Sequence, residues 1–184
     1  YFTDIINDDN SKNIINLYNC ENIVIEGFNV ECTWDVYKSY TEGQFIYAEN
    51  VKGLTIRDNT IKRGGISVLG GESLYVDHNK ITDSIKLNQY PIVARNVIGT
   101  TILNNTIVNC REDGIKISLP LNSENVGKET LITGNYITGC EKDCIDVFAG
   151  GFQCVISNNF LYDSEKGVHA KAWCGAEADY SSIE

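Results

Sequence analysis

Charged side chains with acid, base or nucleophilic chemistry are concentrated in three short segments. These segments read REDGIKIS at 111–118, EKDCIDVFAGG at 141–151 and KGVHAKAW at 166–173. Carboxylates in such segments can act as general acids, bases or nucleophiles, and ammonium groups can stabilise developing negative charge. The catalytic candidates are carboxylates, amines and one of the two histidines, namely Asp113, Lys116, Asp143, Asp146, His169 and Lys171; Lys142 is a substrate-binding candidate.

An internal repeat predicts the elements that position these residues. The pattern apolar-x-x-Asn-x-apolar occurs five times, with steps of 20, 26, 30 and 24 residues, at Asn59, Asn79, Asn105, Asn135 and Asn159. An earlier copy places Phe28 at the Asn position. Helical repeats need a 3.6-residue periodicity that is missing here, and leucine-rich repeats need Leu where this chain has 23 Ile and 13 Val. The pattern predicts one all-β domain over 1–184, a single-stranded parallel β-helix of about six coils.

The repeated Asn has a physical role in such a fold. Asn tolerates the left-handed backbone conformation that a sharp corner between two strands requires. Stacked one per coil, the side-chain amides can also hydrogen-bond to one another and form a ladder of Asn side chains along the axis. These Asn residues are therefore predicted to be structural.

A second strand follows each Asn corner and carries the candidate residues. Alternation places the flanking apolar residues inside, namely Ile66, Val68, Ile115, Ile117, Ile145, Val147, Val168 and Ala170. The residues between them form an outward column: Tyr47, Ser67, Val93 (or Lys86), Lys116, Asp146 and His169. A flanking column holds Gly64, Asp113, Asp143 and Lys166. The last three coils thus concentrate charge on one strip of surface, which a solvated face of paired charges would also explain.

Two reactions fit this strip. Asp113 and Asp143, one coil apart, would have backbones about 4.8 Å apart, so one pKa would rise while the other carboxylate stays ionised, as acid and base or nucleophile. A β-elimination at a uronate instead needs a base and a cation, which Lys116, Lys142 or Lys171 could supply if neighbouring cations lower the pKa. The sequence leaves both open.

Composition excludes several other classes of protein. A net charge of −10 repels nucleic-acid backbones, and no apolar run reaches the length of a membrane helix, so neither nucleic-acid binding nor membrane insertion is expected. The seven Cys residues are expected to pack as small apolar side chains. They do not indicate a cellular compartment.

The remaining segments break the repeat. A loop at 31–44 holds Trp34, Tyr37 and Tyr40, which either stack on sugar rings as a substrate-binding surface or cover an end of the solenoid. A second loop lies at 119–129, and 172–184 loses the pattern. With no Met in the chain, we expect a fragment of a longer protein. No cofactor is required; a Ca²⁺ site could form from Asp77, Asp83 or the acidic segment 7–10.

Residues 14–171 resemble right-handed parallel β-helix proteins that act on polysaccharides: pectate-lyase-like enzymes, polygalacturonases and phage tailspikes. The three charged segments are similar to the N-T-D-G, D-D-C and G-H-G segments of polygalacturonases. This resemblance implies acid or base roles for Asp113 and Asp143 and a supporting role for His169. Lys142 replaces the first Asp of the pair, Val168 interrupts the Gly-His-Gly, and no R-I-K segment follows.

The expected function is therefore a carbohydrate-active module that binds and cleaves an extracellular or cell-surface polysaccharide by hydrolysis or β-elimination. The alternative is a non-enzymatic receptor-binding or structural β-helix, such as a tailspike or adhesin. In that case the protein would be located on a virion or cell surface and could be a homotrimer.

Overall fold

The computed structural model describes residues 13–32, 43–86, 88–118, 130–148 and 154–171. These residues form β-strands joined by turns, and every pairing between strands is parallel. Within the described ranges there is no helix long and apolar enough to cross a membrane.

The strands lie in three rows, which the chain visits in the same order on each turn. The first row holds β1 (Ile15–Tyr18), the first part of β4 (Ile46–Arg57), the first part of β6 (Ile66–Asp77), β8 (Ile92–Arg95), β11 (Ile115–Ser118), β14 (Asp143–Phe148) and β17 (Lys166–Lys171). The second holds β2 (Glu21–Glu26), the second parts of β4 and β6, β9 (Ile98–Leu103), β12 (Thr130–Thr133) and β15 (Cys154–Ser157). The third holds β3 (Asn29–Glu31), β5 (Thr60–Lys62), β7 (Lys80–Ser84), β10 (Thr106–Cys110), β13 (Tyr136–Cys140) and β16 (Phe160–Tyr162).

The core consists of aliphatic columns that run along the solenoid axis. In the first row, successive coils contribute Ile46, Ile66, Ile92, Ile115 and Ile145, all fully buried. Because each strand lies over its counterpart, one inward position repeats as the same residue type, which explains the excess of Ile. Val168 and Ala170 pair in register with the inward Ile145 and Val147, as predicted. Because β17 is the last described strand, Val168 is nevertheless only half-buried and Ala170 is exposed.

The structure decides between Val93 and Lys86, the two residues predicted for one position of the outward column. Strand β8 begins at Ile92, and Val93 pairs with Ser67 and Lys116, whereas Lys86 lies in a bend. The outward column therefore contains Val93.

The five repeated Asn side chains are buried or half-buried and hydrogen-bond to one another. In the first four, Nδ2 donates to the Oδ1 of the next Asn along the column at 2.9 to 3.0 Å, and Asn159 Nδ2 donates to the Ile132 carbonyl at 2.9 Å. Each Oδ1 also accepts from the backbone N–H of the preceding coil, and Asn59 Oδ1 accepts from Phe28 N–H at 3.0 Å. Every buried polar atom of the column thus has a partner.

The left-handed corner residue is not the repeated Asn but the residue before it. Positive φ values occur at Gly27, Asp58, His78, Asn104, Gly134 and Asn158. The repeated Asn follows the corner with its side chain turned inward. The corner conformation and the ladder of side-chain hydrogen bonds, predicted for one residue, thus belong to two neighbouring residues.

Replacing Asn105 by Ala is expected to lower the free energy of unfolding by about 2–4 kcal/mol, because each buried group left without its partner costs about 1–3 kcal/mol. Asn79 would lose its acceptor and Asn135 its donor. Asn104→Gly is the matched control. Its side chain is exposed and its φ is 51°, which Gly adopts freely. Urea denaturation should show a change within about 0.5 kcal/mol for the control; equal losses in the two variants would contradict the structural role of Asn105.

Candidate functional site

The charged residues meet on the outer face of the first row, where β11, β14 and β17 lie side by side. Lys116 pairs in register with Asp146, and Asp146 with His169. The full outward column reads Tyr47, Ser67, Val93, Lys116, Asp146 and His169 along the paired strands. Asp143 pairs with Lys166 in the flanking column.

Lys116 lies at the centre of this site. Its Nζ is 2.8 Å from Asp113 Oδ2 and 2.7 Å from Asp146 Oδ2, so one ammonium group bridges two coils. The ring of Tyr90 lies over the same Nζ, 5.1 Å from the ring centroid, and adds a cation–π contact. Lys171 Nζ lies 3.1 Å from Asp146 Oδ1, so Asp146 has a cation on each of its oxygens.

Asp143 and His169 form a separate pair within the site. Asp143 Oδ2 lies 2.7 Å from His169 Nδ1, and the backbone N–H of Asp143 donates to Asp113 Oδ1 at 3.2 Å. Lys166 Nζ lies 3.3 Å from the same imidazole nitrogen. The other ring nitrogen, Nε2, has no hydrogen bond to any described residue. An imidazole that donates from Nδ1 to a carboxylate keeps its lone pair on Nε2.

Burial divides the site into an inner and an outer part. The side chains of Asp113, Asp143 and Asp146 are only 3–7% exposed, whereas those of His169 and Lys171 are 28% and 39% exposed. The sequence predicts a strip of surface charge, but its carboxylates are buried. A bound molecule would therefore meet the imidazole and the ammonium groups first, with the carboxylates behind them.

The pKa values of Lys116 and Lys142 are shifted in the direction opposite to the one predicted for an elimination base. Burial by itself would lower the pKa of Lys116, but hydrogen bonds and charges from Asp113 and Asp146 outweigh it and raise that pKa above its ordinary value. The hydrogen bond to Glu112 likewise raises the pKa of Lys142. The prediction that neighbouring cations prepare either amine as a base is wrong, because their near neighbours are carboxylates.

Lys142 lies beside this cluster and pairs with Glu112, a fully buried carboxylate that the sequence argument did not single out. Tyr90, whose ring contacts Lys116, was also not predicted from the sequence as a residue of the site. Glu112 could have been found from spacing, since it precedes Lys142 by the same 30 residues that separate Lys116 from Asp146.

Several predicted features lie outside the residues that the structure describes. These are the aromatic residues Trp34, Tyr37 and Tyr40, the loop at 119–129, segment 172–184 and the acidic segment 7–10.

Two cysteines of the third row join the coils that carry the site. Cys110 and Cys140 pair in register, with Cα atoms 4.6 Å apart, and form a disulfide. Each lies three residues before an aspartate of the site, Asp113 or Asp143. The prediction that the cysteines pack as small apolar side chains is wrong for this pair. Cys32, Cys144 and Cys154 are free and buried.

Three of the site residues could ligate a metal. One ligand atom from each of Asp143, Asp146 and His169 lies within 4.8 Å of the others. The side chains considered for Ca²⁺ already have polar partners: Asp77 contacts His78 and Asn104, and Asp83 accepts from Asn109.

The charge of Asp146 should make folding stability depend on pH. Burial alone would raise the pKa of Asp146, but hydrogen bonds and charges from Lys116 and Lys171 outweigh it and lower that pKa below its ordinary value of 3.8. A carboxyl whose pKa is lower in the folded state binds fewer protons there. The stabilising contribution of ionised Asp146 is therefore complete above about pH 4. It is lost as the pH falls through the pKa that Asp146 has in the folded state.

The expected result is that the stability difference between the wild type and Asp146→Asn is largest near neutral pH and shrinks in acid below about pH 4. Urea denaturation of both proteins from pH 3 to 7 measures it. A difference that is constant, or that grows in acid, would contradict the charge pairing of Asp146.

The comparison with known proteins agrees with this geometry. The family described as "Right handed beta helix region" matches residues 2–161. No curated protein and no solved structure matches the chain. The stacked parallel strands and the extent of the family match lead to one conclusion: the chain belongs to the right-handed β-helix family.

Proposed function

We propose that this chain is a carbohydrate-active β-helix module that binds an extracellular or cell-surface polysaccharide containing uronate and cleaves it by β-elimination. The observation that carries the proposal is the 2.7 Å contact between Asp143 Oδ2 and His169 Nδ1 on a strand edge lined with lysines. Extended glycans suit a solenoid, whose strands present the same outward position at regular intervals.

The roles follow from which groups a substrate can reach. His169 Nε2 is the base that removes the proton from the carbon next to the uronate carboxylate, and Asp143 holds the ring in place. Lys171 and Lys166, both partly exposed, lie where they could neutralise the uronate. The bond from the neighbouring carbon to the glycosidic oxygen breaks, a carbon–carbon double bond forms, and the leaving oxygen takes a proton from water.

Hydrolysis fits the same residues less well. It requires a protonated carboxyl that reaches the glycosidic oxygen. The three aspartates are almost completely buried, and lysines lower the pKa of Asp146. Asp113 and Asp143 therefore act on a substrate only through the residues in front of them.

A non-enzymatic receptor-binding or structural β-helix is the second candidate. The pairing of Lys116 with two buried carboxylates favours it, because a saturated ion network is also a way to hold coils together. For either candidate, the Cys110–Cys140 disulfide supports an extracellular, cell-surface or virion location, since disulfides persist in oxidising compartments. A stable trimer without cleavage activity would favour the second candidate.

The test is a depolymerisation screen of the wild-type protein against uronate-containing and neutral polysaccharides. Products are assayed for reducing ends and for the ultraviolet absorbance of an unsaturated uronate. We expect both signals to rise together on uronate polymers. Reducing ends without the absorbance would replace elimination by hydrolysis, and no cleavage of any polymer in the screen would favour the non-enzymatic candidate.

A further inference from the structure

A carboxylate oxygen of Asp143 has no hydrogen-bond partner in the part of the chain that the structure describes. Asp143 is 5% exposed, its Oδ2 contacts His169, and its Oδ1 is fully enclosed with no hydrogen bond to a described residue. A buried carboxylate oxygen without a donor is costly, and such an atom in a native fold commonly marks a place for an ion or water. The carboxylate of Asp143 lies close to two further side chains of types that commonly ligate metals, Asp146 and His169.

We propose that Asp143, Asp146 and His169 bind one divalent transition-metal ion of the Zn²⁺ class. Their ligand atoms come from two adjacent strands, β14 and β17, and lie within 4.8 Å of one another. Ligands on one tetrahedral zinc ion are about 3.3 Å apart, given bonds of about 2.0–2.2 Å. Binding therefore requires the three side chains to draw together and Asp143 to open its 2.7 Å contact with His169.

The charges of the site accommodate such an ion once Lys171 and Lys166 move away. Asp113, Asp143 and Asp146 carry three negative charges, and the half-buried Lys116 carries one positive charge. Lys171 is the more exposed cation and contacts Asp146 through one oxygen. Lys166 is also partly exposed, and its Nζ lies 3.3 Å from His169 Nδ1. Swinging both lysines into solvent leaves a formal charge of −2, which a divalent cation balances.

The ligand chemistry selects the class of metal. Ca²⁺ takes six to eight oxygen ligands, and this site offers two carboxylates and an imidazole. Zn²⁺ accepts both nitrogen and oxygen ligands and completes its shell with water. Since Zn²⁺ would engage the imidazole, it would compete with the role proposed for His169. Metal binding is nevertheless measured without substrate, so the two proposals fail or succeed separately.

The experiment titrates Zn²⁺ into chelator-treated protein by calorimetry. His169→Ala and Asp143→Asn should weaken binding by about 10–100-fold or more, since even indirect partners of a metal site have effects of that size. Lys171→Ala should tighten binding about tenfold, because it removes the competing cation. His78→Asn is the matched control, since His78 also holds an aspartate through Nδ1 at 2.7 Å but belongs to another coil.

Free cysteines could also bind Zn²⁺. A second probe, Co²⁺, distinguishes metal bound by cysteines from metal bound at the proposed site. Co²⁺ bound at the proposed site should show no thiolate charge-transfer band, because the three ligands contain no sulfur. The proposal is overturned by undetectable Zn²⁺ binding, by binding that is unchanged in His169→Ala, or by a thiolate band with Co²⁺. Tighter binding in Lys171→Ala together with loss in His169→Ala would support it.

Discussion

Replacing Lys116 by Met is expected to lower the free energy of unfolding by about 3–5 kcal/mol, the typical cost of breaking a buried ion pair from one side. Lys116 contacts Asp113 and Asp146 at 2.8 and 2.7 Å, and both carboxylates are almost completely buried. Met fills a similar volume but leaves Asp113 without its cation and Asp146 with Lys171 alone. The loss should therefore come from uncompensated charge rather than from a cavity.

Two further proteins make this result specific. Lys52→Met removes an exposed ion pair, 3.6 Å from Glu72, and should change stability by less than about 1 kcal/mol. Adding Asp113→Asn and Asp146→Asn to Lys116→Met should recover much of the loss, because the orphaned charges are then absent. Urea denaturation at neutral pH compares all of them. If Lys116→Met were as mild as Lys52→Met, the ion network would not hold these coils together.

Asp143→Asn is expected to lower kcat by about 10²–10⁴-fold on any uronate polymer that the wild type cleaves, the range over which positioned general bases contribute. The amide cannot supply the negative charge that orients the Nδ1–H of His169 and stabilises the ring once it is protonated. KM should change much less, since the 7%-exposed Asp143 side chain has little surface for substrate contact.

The folding and thermal stability of Asp143→Asn must be measured as a control, so that lost activity is not caused by unfolding. Asp143→Asn keeps the shape of the side chain and the backbone N–H that donates to Asp113. Its far-ultraviolet circular dichroism and melting temperature should remain close to wild type. A raised KM with an unchanged kcat would instead assign Asp143 to substrate binding. Unchanged values of both kcat and KM would show that Asp143 has no role in the site.

The repeat allowed the rows and the register to be predicted from sequence. Each coil packs the same inward positions against the previous coil, so equivalent residues recur and can be aligned without a structure. The column from Tyr47 through Lys116 and Asp146 to His169 lies in register as predicted. The one ambiguous coil, with Lys86 or Val93, contains two candidate segments within ten residues, and alternation alone does not choose between them.

The site was less predictable, because burial and pairing depend on three dimensions. Alternation indicates which way a side chain points but not whether other parts of the protein cover it, so Asp146 was expected at the surface and is 2% exposed. The direction of the Lys116 pKa shift depends on which charges come nearest, and those are carboxylates. The disulfide could have been found from spacing, since Cys110 and Cys140 are 30 residues apart, as are Asn105 and Asn135.

In the proposed function, His169, oriented by Asp143, is the base that acts on a polysaccharide. The most direct measurement is kcat/KM for His169→Ala beside His78→Asn on the polymer that the wild type cleaves best. His78 is a suitable control because it too is hydrogen-bonded to an aspartate, Asp77, and this hydrogen bond is the main cause that raises its pKa. We expect kcat/KM to fall by about 10²-fold or more in His169→Ala and to stay at the wild-type value in His78→Asn. Equal activity in all three proteins would contradict this role of His169.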